Sequence, residues 1–499
     1  MTWTLPRLSI LAFAFGWVWV CGHRGYFLLD QSEVFDGGWR ILQGQVPFRD
    51  FQQPYGPLVY WAQAFFFLLA GVDYSAMVLP AALLNAAAAA LAMSAVRRVE
   101  PDAVWAEPAA GLVTAVWFQA PFGTLYFEQL AFGLALASVR LLLSDRRPAA
   151  AAAGACVALS FLAKQNSAIL FAPLALGILT LRRRGIREFA AGFALTAALF
   201  ACWAYWFSDP REVWRQMIAL PRHIAGERAP DLVQFIAGSL LLRNSAVFPV
   251  LSAALALTGA LALLRRRYLT GWLILASMIM MDAYTGVTLN EPQNCLAFLG
   301  LAAGLATRAV SAPVAAPFLG VIVYTGVSAD WNRVVHGFDH TTRFPRTLAV
   351  DGARRLRWAE PHALPGHGAI PANDFEKLNR ILADTDGNFF VFSDTTILYG
   401  LHRRPSPQPY LYFLEGHSYL PSERDIVDER TTHALERADI QTVILETASW
   451  MGNHRQLERM PRLRAWISDH FTKTEVVAIY QVWRRTIPPG RTQASFQAR

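Results

Sequence analysis

Apolar runs of membrane-spanning length recur through the first two-thirds of the chain, and the gaps between them alternate in character. One set of gaps is short and rich in arginine. The other carries acids, aromatics and a lysine. The runs predict spans near 5–23, 74–96, 104–120, 127–143, 149–164, 167–181, 189–207, 246–264, 270–286, 295–307 and 311–328. Several are shorter than the roughly 20 residues a bilayer normally needs, so their ends are set only to within several positions. Residues 3–22 read as a retained first helix, not a signal peptide, because no small-residue cleavage site follows and many spans do. Arg97-Arg98, Arg146-Arg147, Arg182-Arg183-Arg184 with Arg187, Arg265-Arg266-Arg267 and Arg308 all fall on one side of this eleven-span arrangement. The positive-inside rule makes that side cytoplasmic. The amino terminus is then inside and the region after residue 329 outside.

Composition agrees. The 499 residues are 54% hydrophobic and 16% charged, below the roughly 25% charge of soluble domains. The net charge of +8 sits in the loops between spans, which points to topology and not to nucleic acid. Cys21, Cys156, Cys202 and Cys295 lie in or beside apolar stretches without metal-ligand spacing, as small buried hydrophobes do. Neither a Walker-type phosphate loop nor a Gly-x-Gly-x-x-Gly after a strand is present, which argues against an ATP-driven pump.

The outer side holds Asp30, Glu33, Asp36, Asp50, Glu128, Lys164, the loop 208–231 and Asn290-Glu291. Lys164 stands alone: the next lysine is Lys377. An ammonium beside an apolar segment is costly without a partner and marks a functional site. The bland alternative is a side chain that snorkels to the headgroups. Glu128 heads the apolar run that follows Leu125-Tyr126-Phe127. The first outer loop, 24–72, interleaves Phe35, Trp39, Phe48, Phe51, Tyr55, Tyr60 and Trp61 with acids. Its Asp30–Gln43 stretch predicts an amphipathic interfacial helix, broken at Gly44-Gln45-Val46-Pro47. Pro54-Tyr55-Gly56-Pro57 then predicts a turn, and 58–71 a half-buried or re-entrant helix.

These residues resemble the GT-C glycosyltransferases, in the branch of the protein O-mannosyltransferases and the aminoarabinose transferase of lipid A. That branch carries an acid after the first span, then Leu-x-Gly, an aromatic-x-Asp and a basic-Pro-Pro or His-Pro-Pro turn. Here Asp30 is followed by Leu42-Gln43-Gly44, Phe48-Arg49-Asp50 and Tyr55-Gly56-Pro57. Phe127-Glu128 matches an acid that opens the fourth span, and Leu162-Ala163-Lys164-Gln165 a lysine at the outer end of the fifth. The chain departs from the pattern at Gln31, where relatives have Glu, and at Tyr55-Gly56, where they have a basic residue and proline.

The resemblance implies a polytopic α-helical membrane protein of the GT-C fold with about eleven transmembrane helices and a C-terminal periplasmic α/β domain. It implies an inverting transfer of a hexosyl or pentosyl group from a polyprenyl-phosphate sugar to an envelope glycan, lipid or protein. Asp30 would be the general base, and Glu128 a second acid. Lys164, Arg222 and His223 would meet the donor phosphate. Asp50, Tyr55, Glu291 and Asn294 would meet acceptor or substrate. Some relatives use Mg²⁺ or Mn²⁺, so Asp30 and Glu128 are also candidate ligands of a divalent cation. For Asp30 itself, helix capping competes with catalysis as an explanation. The expected setting is the inner membrane, as monomer or homodimer, without nucleic acid. The competing reading is a polytopic lipid or solute transporter or flippase, which predicts inverted repeats and broken helices at the midplane.

The division expected is a membrane catalytic region 1–329, an irregular connector 330–372, an outer α/β domain 373–487 and a disordered tail 488–499. In the outer domain, strands are predicted at 388–393, 397–400, 440–446 and 475–483, and helices at 374–384, 424–437 and 454–470. Asp394, His402, Arg403 and His417 could meet the acceptor, but the stronger reading is of ordinary loop residues.

Overall fold

The computed structural model describes residues 4–119, 123–224, 226, 247–288, 296–308, 312–336, 343–360, 370–392 and 394–486. Helix α1 (Leu5–Gly22) leads into α2 (Leu28–Leu42) and α3 (Leu58–Ala70), both within the 24–72 segment read from sequence as the first outer loop. Next come α4 (Ser75–Val99), α5 (Ala106–Trp117), α6 (Phe127–Leu142), α7 (Arg147–Ala163), α8 (Gln165–Arg182) and α9 (Ile186–Phe207). A short α10 (Pro210–Trp214) runs into a π-helical turn, Arg215–Ala219. Helices α11 (Val247–Leu264), α12 (Tyr268–Thr288), α13 (Leu299–Ala306) and α14 (Ala312–His336) complete the bundle. A helix thus lies at each of the eleven predicted spans. Among the described residues α1, α4 and α9 are long and apolar enough to cross a membrane, and five further apolar helices are shorter.

The loop reading of 208–231 needs correction, because its first part is helical. Asp209 accepts a hydrogen bond from the Arg211 amide at 2.9 Å and Pro210 follows it, a helix start hidden among the charges.

Small residues let the helices approach closely. A Cβ on Gly154 of α7 would lie 2.0 Å from the Phe189 carbonyl oxygen, and one on Gly192 of α9 would lie 1.9 Å from that of Ala151. Asn85 of α4 donates to the carbonyls of Ala14 in α1 and Ala115 in α5, at 2.8 and 2.9 Å, and ties three helices together. The arginine loops gather at one end of the bundle. Arg98, Arg182 and Arg184 converge on Asp145. Arg267 and Arg308 converge on Glu100, at 3.3 and 3.8 Å.

The connector is less irregular than its composition suggests. It holds a hairpin of β1 (Arg343–Thr347) and β2 (Arg357–Glu360). Beyond it, α15 (Ala372–Ala383), β3 (Asn388–Phe392), α16 (Ile397–Leu401), α17 (Arg424–Arg437), β4 (Ile440–Glu446), α18 (Pro461–His470), β5 (Phe471–Val477) and β6 (Tyr480–Arg485) build an α/β unit. Its sheet order is β3-β4-β6-β5, with β3 and β4 parallel and the other pairs antiparallel. Three details differ from the sequence reading. Residues 397–401 are helix, since a short apolar run has no period that separates helix from strand. The expected strand 475–483 is the turn of a hairpin, with Ala478 at φ 50° where no glycine signalled it. Only 461–470 of the helix expected at 454–470 is α-helical; Trp450–Arg459 is 3₁₀. The tail 488–499 lies outside the described residues.

One apolar core joins the outer unit to the first outer loop. Phe27, Val34, Phe35 and Tyr60 pack with Trp358, Phe375, Phe389, Tyr399 and Tyr412. A buried ion pair pins the junction: Arg40 donates to Asp36 at 2.9 Å and to the Gln408 carbonyl at 2.7 Å, and both charged side chains are fully inaccessible. Asp36 also accepts from Ser406, and Trp39 donates to the Arg404 carbonyl at 2.8 Å. Asp36→Ala strands the Arg40 charge in the core and is expected to cost about 3–5 kcal/mol. A lowered melting temperature, with proteolysis starting in the outer unit, would register it; an unchanged melt would show that Arg40 finds water.

Candidate active site

Asp30 and Glu33 lie three residues apart on α2, close enough to share a face. The N-cap of α2 is Phe27, so Asp30 sits within the first turn and does not cap the helix. Gln31 does the local anchoring. Its Oε1 accepts from the Phe27 amide at 2.6 Å, and its Nε2 donates to Tyr74 Oη at 3.0 Å and Thr124 Oγ1 at 3.2 Å. The amide accepts from the backbone and donates to the two hydroxyls at once, a division that an ionised glutamate could not make.

Lys164 ends α7 and begins α8, in extended conformation (φ −154°, ψ 117°). The break turns its side chain on to Glu128, the second residue of α6, with which it forms a buried ion pair. The side chains are 9% and 6% exposed. The ammonium also lies 5.0 Å from the centre of the Tyr55 ring. Oε2 of Glu128 is buried without a hydrogen-bond partner among the described residues. The Tyr55-Gly56 departure has a steric cause. A Cβ on Gly56 would lie 1.9 Å from the Leu162 carbonyl oxygen, so the outer loop can touch the end of α7 only through glycine. Gly56→Ala is expected to push Tyr55 off Lys164 and to lower both melting temperature and activity; an intact Tyr55–Lys164 contact in a structure of the variant would refute that.

Around this pair stand Tyr60, which donates to Glu33 Oε1 at 2.9 Å, Tyr126, which donates to Asp30, and Tyr412, which contacts His417 Nδ1 at 2.7 Å. The Tyr55 and His417 rings lie 6.2 Å apart. Asp30, Tyr55, Tyr126 and His417 are half-buried, whereas Glu33 is sealed at 3% exposure. Loss of water pushes the Asp30 carboxyl up to about 7, and the Glu128 charge adds to this against the Tyr126 hydrogen bond and Lys164. Burial pushes Glu33 up to about 8, and the Asp30 charge contributes. The field of Asp394, at the C-terminal end of β3, also reaches Asp30.

The fold thus brings Asp30, Glu128, Lys164 and Tyr55 together. Asp50 is engaged within its own turn, its carboxylate accepting from the Val46 amide at 2.7 Å and pairing with Arg49 at 2.8 Å. Arg222 and His223 are exposed, and line a cavity of about 500 Å³ with Trp214 and Ile218. The preceding π-helical turn touches the cluster: Gln165, next to Lys164, donates to the carbonyls of Met217 at 3.2 Å and Pro54 at 3.1 Å. Glu291 and Asn294 lie outside the described residues. Glu33, Tyr126 and Tyr412 were not singled out as site residues from sequence, and His417, which could meet the acceptor, was read first as an ordinary loop residue. Only Glu33 left a usable signal, the three-residue spacing from Asp30.

The divalent cation fits poorly. Among the described residues no group of three or more His, Cys, Asp or Glu side chains could hold a metal. Glu128 already accepts the Lys164 ammonium, which supplies positive charge where a metal bound to Asp30 and Glu128 would have to sit.

No protein-family model matches the chain, and no curated protein matches it. Solved structures do. ArnT from Cupriavidus metallidurans, bound to undecaprenyl phosphate, aligns over 97% of this chain and 99% of its own, at 12% identity and a TM-score of 0.53. The Archaeoglobus fulgidus oligosaccharyltransferase in its apo form aligns over 97% of this chain and 75% of its own, at 11% identity and a TM-score of 0.49. The likeness to ArnT shows the fold: this chain shares, along nearly its whole length, the helical membrane fold that its resemblance to the GT-C glycosyltransferases implied.

Proposed function

We propose that the protein is a membrane glycosyltransferase that moves a sugar from a polyprenyl-phosphate carrier to a hydroxyl on the outer face of the inner membrane. The observation that carries this reading is the meeting of Asp30, Glu128 and Lys164, which are remote in sequence, at the end of the bundle away from the arginine loops. The undecaprenyl phosphate bound by ArnT supports a lipid-linked donor for a chain of the same fold. The positive-inside rule puts the arginine end in the cytoplasm, and so puts the site and the α/β unit on the other side.

The chemistry needs little. Asp30, as carboxylate, takes the proton of the acceptor hydroxyl. The acceptor oxygen bonds to the anomeric carbon from the face opposite the phosphate. The carbon–oxygen bond to phosphate breaks, its electron pair leaves with the polyprenyl phosphate, and the configuration inverts. Lys164 donates hydrogen bonds to the leaving phosphate as its charge grows. Oε2 of Glu128, without a partner, accepts from a sugar or acceptor hydroxyl. Glu33, protonated near pH 7, keeps a second negative charge away from Asp30. Arg222 and His223 meet the donor phosphate from their cavity, and Tyr55 orients the substrate across the Lys164 ammonium. Glu291 and Asn294 are assigned to the acceptor side.

Mass spectrometry of envelope glycans and glycolipids, with and without the protein, tests the reading. A hexose, pentose or amino sugar should be missing from one envelope component when the protein is absent. Substrate movement in proteoliposomes, with no sugar transferred, would favour a transporter instead.

A further inference from the structure

At the arginine end of the bundle, a cavity of about 350 Å³ opens between the end of α6 and the adjoining ends of α7, α8 and α9. Arg146, Arg147, Arg182 and Arg184 line it, with the carboxylates of Asp145 and Glu188. Four cations face two anions. Asp145 is shared by Arg182 and Arg184 from the cavity and by Arg98 from α4. Arg147 reaches Glu188 only at 3.8 Å and is 89% exposed, and Arg146 makes no ion pair among the described residues. Positive charge therefore exceeds what the local carboxylates neutralise.

Two other features point the same way. The cavity wall includes the N-termini of α7 and α9, helices of 17 and 22 residues, and neither has a side-chain cap. Their dipoles add to the arginine field, with α9 presenting the amides of its first turn, while in α7 Pro148 has no N–H and the Ala149 amide is taken by the Arg146 carbonyl. The floor is apolar, formed by Leu142, Ala150, Ile178 and Leu179. Helix α9 buries only Gly192 and Ala204 of its length, so the cavity borders a wall that faces bilayer.

We propose that this cavity binds the phosphodiester headgroup of an anionic phospholipid, with the acyl chains running down the α9 side. A free phosphate would find the same cations. The apolar floor and the lipid-facing wall favour the lipid, and basic pockets between helices at a membrane surface hold such headgroups. The site lies at the opposite end of the bundle from Asp30, so it is separate from the transfer site.

The test uses the full chain purified in detergent. Phosphatidylglycerol, phosphatidylcholine or inorganic phosphate is added, and bound lipid is read by native mass spectrometry beside a thermal melt. Phosphatidylglycerol should be retained and raise the melting temperature by several degrees, with little effect of the other two. Arg146→Gln with Arg147→Gln, both on exposed side chains, should weaken phosphatidylglycerol retention at least tenfold without changing the lipid-free melt. Arg97→Gln with Arg266→Gln, exposed at the same end of the bundle but outside the cavity, should keep it. The proposal is overturned if the control pair loses retention equally, if phosphatidylcholine is held as well, or if inorganic phosphate reproduces the shift.

Discussion

Asp30→Asn is expected to abolish sugar transfer, by about 10³-fold or more, while making the protein more stable at alkaline pH. The rate loss follows from removing the only half-buried acid of α2's first turn that can accept the acceptor's proton; general bases contribute 10²–10⁴-fold. The gain in stability follows from linkage. The folded-state pKa of Asp30 lies near 7, above its ordinary 3.8, so between those values the native protein binds a proton that the unfolded chain has lost. Stability contributed by that proton is present below the ordinary value and lost as pH rises through about 7. An amide never ionises, so the variant avoids up to about 4 kcal/mol of desolvation at pH 8 and nothing at pH 4. Melting curves at the two pH values, beside a transfer assay, read both halves. The same shift predicts that wild-type kcat/KM climbs with pH to a plateau above about 7. A variant that retains full transfer removes Asp30 as the base. A flat pH profile removes the raised pKa from the account.

Lys164→Met is expected to cost both folding and activity. The substitution leaves Glu128 buried against apolar neighbours with no counter-charge, and breaking a buried pair from one side costs about 3–5 kcal/mol. Adding Glu128→Gln removes the stranded charge, so the double variant should recover most of the lost melting temperature. It should recover no transfer, because the ammonium that follows the leaving phosphate is gone and the charged acceptor at Oε2 is replaced by a neutral amide. This split separates a catalytic pair from a structural one. If the double variant regains both stability and activity, Lys164 serves only to neutralise Glu128. If the single variant melts as wild type, the pair reaches water and the buried geometry is wrong.

Stability and function pull apart at this site. Asp36–Arg40 is buried and bonded across to the outer unit at Ser406 and the Gln408 carbonyl, so it fixes how that unit sits, although Nη2 of Arg40 has no partner among the described residues. Asp30 and Glu128 are instead left with unused capacity: one with an elevated pKa, the other with an orphan oxygen. A fold keeps such groups where a substrate completes them.

The spans, the arginine end, the α/β character of the outer unit and the acids Asp30 and Glu128 were legible in the chain, because each is written locally. An apolar run, a cap or a charged loop depends on its own neighbours in sequence. Lys164 was legible for the same reason, as a lone cation against an apolar run. The hairpin at 471–485 was not, since its turn has Ala478 at positive φ where a glycine or asparagine would have signalled it; at 343–360 the Asp351-Gly352 signal was present but lay inside a stretch of Arg, His and Pro that reads as irregular. The role of Glu33 and the enclosure by Tyr126, Tyr412 and His417 were decided only by packing. So was the local engagement of Asp50, whose carboxylate holds its own turn and pairs with Arg49. A carboxyl's proton affinity is set by the water and charge that reach it, and those come from segments hundreds of residues away that meet only when the chain is folded.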